Sequence, residues 1–436
     1  MLHRSIIRIA LICIFTCKCV SSKDHEQTSG SILDSADSKP GHLRPLGSQK
    51  QKHPVDVVNH FLSPSEFFAN YVYASKPVIF KGVAKTANAF KFWTDAYLAN
   101  LPESSSTNVD VEFNKKENRT DPSTTMSVKE FFNRYKNEDI YLVTDVPSYL
   151  RKDVPIPKSL ICKDVLKKLA ATVMWISNGG TKSVLHNDDV DNINCLFSGK
   201  KEILFIDFKY REYVILDHFE GGYSSVDVDK VDFTKYPGLS QVEFHYAEMT
   251  SGDCIFIPYK WFHQVNSYER NIAVNLWWEH DGKILPTPEN CGSTVQEMSL
   301  ADVDMKDEEK VETDDEEELI YEPLQDIMTS VLEGDQFILP SLILFTKIHP
   351  RLKDLTWSEE CDRLVEKVFL IMDGNSDGIL QKDDIAEQIE SIENEVVFHL
   401  SILQDIMLLE IGQQRRKELL QYSEEVKLDR MIKNEL

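Results

Sequence analysis

The chain has 436 residues, enough for two or three domains, and carries 72 acidic against 48 basic side chains, a formal charge of −24. Such a surface argues against nucleic acid as a partner, because phosphate backbones demand basic faces. No later run approaches the ~20 apolar residues a membrane-spanning helix needs, so no transmembrane segment is expected.

Residues 1–22 read as a secretory signal peptide. Arg4 and Arg8 give a positive start, Ile9 to Phe15 is an unbroken apolar run, and Val20-Ser21-Ser22 offers small residues for cleavage. Its removal takes away Cys13, Cys17 and Cys19 and leaves Cys162, Cys195, Cys254, Cys291 and Cys361. Five widely spaced cysteines are not a disulfide framework, although one or two bridges fit. Cys195 and Cys254 lie in apolar, strand-like runs and are expected to be buried small hydrophobes. Residues 23–52 are polar and rich in Ser, Lys and Gly, and read as a disordered lead-in.

From 53 to 281 the texture is aromatic and β-branched. A helix over Ser127–Lys136 is capped by Ser127, with Glu130 three residues on. Short strand-like runs follow at Val173–Ser177, Ile193–Phe197, Glu202–Ile206, Cys254–Ile257 and Ile272–Trp277, separated by Gly, Pro and Asp turns. That is the pattern of an all-β barrel or double-sheet jelly roll. Asn118-Arg119-Thr120 is a glycosylation acceptor that becomes usable in a secretory compartment.

Within this region His186-x-Asp188 precedes His263, which lies in the run Gly252-Asp253-Cys254-Ile255-Phe256-Ile257-Pro258-Tyr259-Lys260-Trp261-Phe262-His263. Two imidazoles and one carboxylate form a facial triad, which suits Fe(II) and leaves coordination positions open. His186 and Asp188 come from one short segment, and His263 lies just beyond the end of a second strand. Lys200 and Lys201 must point to opposite faces of a strand, and the apolar pattern around them does not say which points inward.

H-x-D followed by G-D-x-x-F-I-P-x-x-W-x-H resembles the JmjC oxygenases, cupin-barrel enzymes dependent on Fe(II) and 2-oxoglutarate. The likeness covers about residues 55–281 and is similar to the small JmjC protein hydroxylases, such as the asparaginyl hydroxylase acting on the hypoxia-inducible factor. It extends to Ser75–Ile79, Tyr141-Leu142, Asn192, Gly199-x-Lys201, Val231-Asp232-Phe233, Tyr236-Pro237 and Val274-Asn275-x-Trp277. The resemblance implies an α+β fold class: a double-stranded β-helix (cupin/jelly-roll) barrel with flanking helices. It implies that His186, Asp188 and His263 hold iron and that Lys201 takes the far carboxylate of 2-oxoglutarate. Tyr141 and Ser183 then add hydroxyls, while Asn192 and Asn275 line the pocket. Ser183 stands where the nearest relatives carry threonine, which keeps a hydroxyl.

Residues 282–318 read as an acidic linker; 302–318 alone holds eleven carboxylates against two lysines. Residues 319–432 read as helical, with Leu319–Leu332, Ser358–Met372 and a stretch from about 384 to 425. In that stretch Val396, Leu400, Leu403 and Met407 form a stripe that suits a core or a homodimer face. The segment 373–384 resembles an EF-hand. Asp373, Asn375 and Asp377 stand at loop positions 1, 3 and 5, Ile379 offers a carbonyl, Gln381 stands at 9 and Asp384 at 12. Aspartate in place of the usual bidentate glutamate at position 12 implies weak Ca²⁺ affinity or competition from Mg²⁺. A degenerate partner hand is expected within Leu319–Ile343.

The chain ends Lys433-Asn434-Glu435-Leu436, close to the K-D-E-L signal read by a retrieval receptor. Together these readings imply a hydroxylase of protein or peptide side chains in the endoplasmic reticulum lumen. The competing readings are a non-catalytic calcium-binding scaffold or chaperone on the same barrel, and a lysine demethylase.

Overall fold

The computed structural model describes residues 39–117, 123–218, 222–291, 297–303, 326–350, 352–353, 356–385 and 389–435. The expected signal peptide, Asn118, most of the acidic block and Leu436 lie outside the described residues. No helix among the described residues is long and apolar enough to cross a membrane.

The chain divides into two compact units. The first comprises Met1–Pro64, Lys76–Glu279 and Cys291–Met305; the second comprises Ser65–Ser75, His280–Asn290 and Lys306–Leu436.

The first unit is built on a large mixed sheet with short helices around it. Its twelve strands are β1 (Lys52–Pro54), β2 (Asp56–Val58), β3 (Val78–Phe80), β4 (Asn108–Phe113), β5 (Thr124–Ser127), β6 (Ile140–Asp145), β7 (Leu169–Ser177), β8 (Thr181–Lys182), β9 (Asp191–Ile206), β10 (Phe244–Thr250), β11 (Cys254–Ile257) and β12 (Phe262–Trp278). They run in the order β2-β3-β11-β9-β12-β7-β6-β4-β5, with β1 and β10 continuing from β9 and β8 pairing with β12.

The long strands β9 and β12 serve two layers. The first half of β9 pairs with β11 and the second half with β10, while β12 follows it along both. This arrangement is consistent with a jelly roll. Leu196, Ile203, Phe205, Ala247, Met249, Ile255, Ile257, Trp261 and Ala273 fill the space between the layers. The expected helix forms over Val128–Arg134, and the Ser127 hydroxyl accepts the Glu130 N–H as its cap.

Gly199 sets the parity of β9. Its φ is +88°, and a Cβ there would meet the Arg270 carbonyl oxygen at 2.6 Å. The β9–β12 register shifts at this point, as expected of a bulge. Leu196 before the bulge and Ile203 and Phe205 after it therefore share one core, although their numbers differ in parity. As a result Lys201 points inward and is buried, while Lys200 is exposed and pairs with Glu269.

Several expectations need correction. Cys195 and Cys254 are directly opposed on β9 and β11 and form a disulfide, so they are not free hydrophobes. A second bridge joins Cys162 and Cys291, leaving Cys361 as the free cysteine among the described residues. Residues 39–52 of the lead-in are ordered: Leu46 is buried, and the Leu43 and Leu46 N–H groups donate to the Val231 and Val228 carbonyls. The acidic linker starts later than residue 282. Cys291 is anchored by its disulfide, Ile156 N–H donates to the Met298 carbonyl, and a capping box closes Ser299–Asp302.

In the second unit, helices at 326–333, Leu339–Ile348, Glu359–Met372 and Ile389–Glu435 share one core. Val396, Leu400, Leu403 and Met407 are buried in it beside Leu364, Val368 and Met372. The stripe that suited either a core or a homodimer face is therefore core, because the chain's own helices cover it.

Candidate functional site

His186 and His263 are brought together by backbone pairing. The His186 N–H donates to the His263 carbonyl (3.1 Å) and the His263 N–H to the His186 carbonyl (2.7 Å). Their ring centroids lie 4.2 Å apart. The turn Pro258–Trp261 brings in Asp188: Lys260 sits at φ +62°, its N–H donates to the Asp188 carbonyl (3.0 Å), and the Asn187 side-chain amide donates to the Lys260 carbonyl. A non-glycine residue in that conformation is held there by its surroundings, a common feature of functional sites.

Upstream, Gly252 at φ +96° makes the turn into β11. The Asp253 carboxylate accepts from the Thr250 and Gly82 N–H groups and pairs with Lys81. Burial opposes ionisation there, but Lys81 and the N–H donors hold this carboxyl below the usual range.

The potential ligand atoms of His186, Asp188 and His263 all lie within 4.8 Å of one another, the one such group among the described residues. His263 Nε2 is 3.7 Å from Asp188 Oδ2. Each histidine places Nδ1 against a carbonyl oxygen, Val184 for His186 (2.9 Å) and Trp261 for His263 (3.0 Å). A carbonyl can only accept, so each Nδ1 carries the proton and each Nε2 lone pair is left for a metal. Burial, with His186 beside it, pushes His263 down to about 4, which keeps its imidazole neutral and able to ligate. The donor set fits a divalent iron centre. On the outer side, the Tyr223 ring stacks on His186 at 5.6 Å and 23°.

Lys201 is the buried cation that the resemblance assigned. It is 7% exposed, and its Nζ donates to Ser267 Oγ at 3.0 Å, with no carboxylate partner among the described residues. Burial alone pushes its pKa down to about 8. Asn192 and Asn275 are joined, the Asn275 amide donating to Asn192 Oδ1 at 3.1 Å. Asn194, which the sequence reading missed, donates to Asn275 Oδ1 in the same buried cluster.

Tyr141 and Ser183 make hydrogen bonds within the protein itself. Tyr141 is buried with its hydroxyl on Glu112. Ser183 is folded onto backbone: its oxygen accepts from the Val265 N–H (2.8 Å) and its hydroxyl donates to the Val184 carbonyl (3.0 Å). Neither hydrogen-bonds Lys201. Ser267 does, and nothing in the sequence marks it: only the β9–β12 ladder sets it opposite Lys201.

The loop 373–384 lies in the second unit, closed on its own backbone. Asp373 accepts from Asp377 and Gly378 N–H, Asn375 from Asp377, Asp377 from Ile379, and Asp384 from Asn375 and Gln381. Asp373 and Asp384 are buried, and Gly378 has φ +83°. Leu380 exchanges two backbone hydrogen bonds with Phe337 (2.8 and 3.0 Å), and Gln381 meets Gln336. Phe337 lies within the segment expected to hold a degenerate partner hand, and this bridge is what joins that segment to the loop.

A family model described as a cupin-like domain matches residues 64–284. Lysine-specific demethylase 8 of Xenopus tropicalis is 26% identical over 237 residues, 50% of this chain and 52% of that protein. tRNA wybutosine-synthesizing protein 5 of Gallus gallus is 29% identical over 163 residues, 33% of this chain and 50% of that protein. The human bifunctional peptidase and (3S)-lysyl hydroxylase JMJD7 is 26% identical over 161 residues, 31% of this chain and 51% of that protein. The chain spans about half the length of these curated relatives. This match shows that the chain belongs to the cupin-like domain family.

Proposed function

We propose that this chain is an Fe(II)- and 2-oxoglutarate-dependent hydroxylase of protein side chains that works in the endoplasmic reticulum lumen. The observation that carries the reading is Lys201, a buried ammonium with one neutral partner and no counter-charge among the described residues. An unpaired buried cation costs stability, and a dicarboxylate co-substrate gives it a reason to be there. His186, Asp188 and His263 would hold the metal, and Lys201 the far carboxylate. When bound, iron and 2-oxoglutarate would supply the oxygen chemistry, in which one atom of O₂ goes into succinate as 2-oxoglutarate loses carbon dioxide and the other turns a substrate C–H into C–OH. The residues themselves orient: carbonyl-bonded Nδ1 atoms aim both imidazoles, and the Asn192–Asn275–Asn194 cluster gives the pocket fixed polar walls. A scaffold would not need Lys201 buried uncompensated in the same unit as a converged triad. Incubation with lumenal proteins, Fe(II), 2-oxoglutarate and oxygen should add one oxygen atom to a substrate peptide in step with succinate; succinate with no oxidised protein would sink the protein-hydroxylase reading.

The lumenal location is supported by the disulfides Cys162–Cys291 and Cys195–Cys254, which persist in oxidising compartments. Deleting Lys433–Leu436 is expected to send the protein into the medium. Unchanged retention in cells would count against a retrieval receptor as partner.

The helical unit we assign a calcium role. Loop pairing through Phe337 and Leu380, and the sharp turn at Gly378, support it. Ten-millimolar-range calcium (about 100 times a weak Kd) should raise the melting temperature of wild type by about 5–10 °C and leave Asp373→Ala unmoved. Absence of any calcium shift in wild type overturns the assignment.

A further inference from the structure

We propose that Asp191 is a positioning residue for the metal centre: its carboxylate anchors the turn that sets Asp188 and His263 in place. This role rests on the metal-centre reading above and lies outside the ligand set itself.

Asp191 opens β9 and is 1% exposed. Its Oδ1 accepts the Tyr259 N–H at 3.0 Å. The sequence explains why a side chain is needed there. Strands β9 and β11 pair antiparallel as far as Ile257 opposite Asn192, so the next rung would set Pro258 opposite Asp191. Proline has no N–H to give, and the strand ends. One residue later the chain has an N–H again, and the Asp191 carboxylate takes it. A side-chain oxygen thus carries the tie between β9 and β11 past the proline and into the turn.

What the turn holds gives this bond its weight. The Trp261 N–H closes the turn on the Pro258 carbonyl at 3.2 Å. Tyr259 is fixed by Asp191, the Lys260 N–H donates to the Asp188 carbonyl, and the Trp261 carbonyl takes the His263 Nδ1 proton. Successive residues of one turn therefore meet the anchor, the Asp188 segment and the His263 ring. Lys260 sits among them at φ +62°, a conformation rarely adopted by residues that carry a Cβ. Such a residue stays there only while its surroundings hold it. Without the Asp191 carboxylate the Tyr259 N–H loses its acceptor in a buried place, and the turn can shift to relieve both the lost bond and the strain at Lys260. Asp188 and the His263 ring would follow, because their own hydrogen bonds run to this turn. Ligands must be held within roughly 0.5 Å of their working geometry, so a small shift of the turn is felt by the metal.

The test is Co(II) binding to the full chain, read by calorimetry and by the visible d–d bands of the bound ion, with thermal melts alongside. Asp191→Ala is expected to weaken Co(II) by about 10–100-fold and to change those bands. Asp191→Asn keeps an oxygen at the same reach of the Tyr259 N–H and is expected to stay within about threefold of wild type. Asp153→Ala controls for lost stability alone. Asp153 is also buried, but it accepts from Trp93 and Tyr97. Its removal is expected to lower the melting temperature and leave Co(II) affinity within about twofold. Should Asp191→Ala not fold, Asp191→Ser takes its place: its oxygen falls short of the N–H, and affinity is expected to drop by at least about fivefold. The assignment is overturned if the folded Ala or Ser variant binds Co(II) with wild-type affinity, if Asp191→Asn loses as much as they do, or if Asp153→Ala weakens Co(II) equally. If wild type itself takes no Co(II), the metal-centre reading fails instead, so the two failures are told apart.

Discussion

Lys201→Met should make the unliganded protein more stable and leave it unable to bind 2-oxoglutarate. The ammonium is buried with a single neutral partner, and its pKa is lowered from 10.5 to about 8. A shift of that size corresponds to roughly 3 kcal/mol held against folding, to order of magnitude. Methionine matches the length of the stem without the charge, so a gain of about 1–3 kcal/mol is expected near neutral pH. The pH dependence follows from the sign of the shift. Below pH about 8 the lysine is charged in both folded and unfolded chains, and the whole penalty is present. Between about 8 and 10.5 the folded protein gives up its proton while the unfolded chain keeps it, so wild-type stability rises with pH through that window. The methionine variant should lack the rise. Co-substrate binding goes the other way, since it needs the charged form and weakens as pH climbs above about 8. Denaturant melts across pH 6–10.5, paired with 2-oxoglutarate titrations, check both halves. A methionine variant that is less stable at neutral pH, or that still binds 2-oxoglutarate tightly, contradicts the role given to this lysine.

His186→Ala produces a different loss. The side chain is half-buried, so the fold should survive its truncation. The metal loses one of three ligands, and affinity for Fe(II) should fall by more than about 100-fold, with succinate formation below detection. Lys201→Met, in contrast, should keep the metal and lose the co-substrate. Metal binding that persists unchanged in His186→Ala, measured by calorimetry with Co(II) as an air-stable probe, would place the metal elsewhere.

Much of the fold and of the site is legible in the sequence, and the reasons are local. His186-x-Asp188 and His263 announce themselves because few structures need that ligand set in that order. Strand positions were readable from β-branched runs, and the Ser127 cap from its Glu130 neighbour. What failed was register. Cys195 and Cys254 each look like a small hydrophobe in its own strand, and only the β9–β11 pairing sets them opposite one another. The inward choice of Lys201 over Lys200 depends on a bulge at Gly199, which breaks the alternation that a two-residue period assumes. Ser267 is an unremarked serine until the β9–β12 ladder places it against Lys201. Long-range assembly was equally hidden: residues 65–75 and 280–290 belong with the C-terminal helices, and nothing in their composition announces it.

The most direct measurement is an anaerobic titration of the purified chain with Fe(II) and 2-oxoglutarate, followed by visible absorption. Iron held by His186, Asp188 and His263 and chelated by the co-substrate should give a metal-to-ligand charge-transfer band that needs both components. The band should be absent from His186→Ala for want of iron and from Lys201→Met for want of 2-oxoglutarate. A folded wild-type protein that binds Fe(II) yet shows no such band would contradict the oxygenase account.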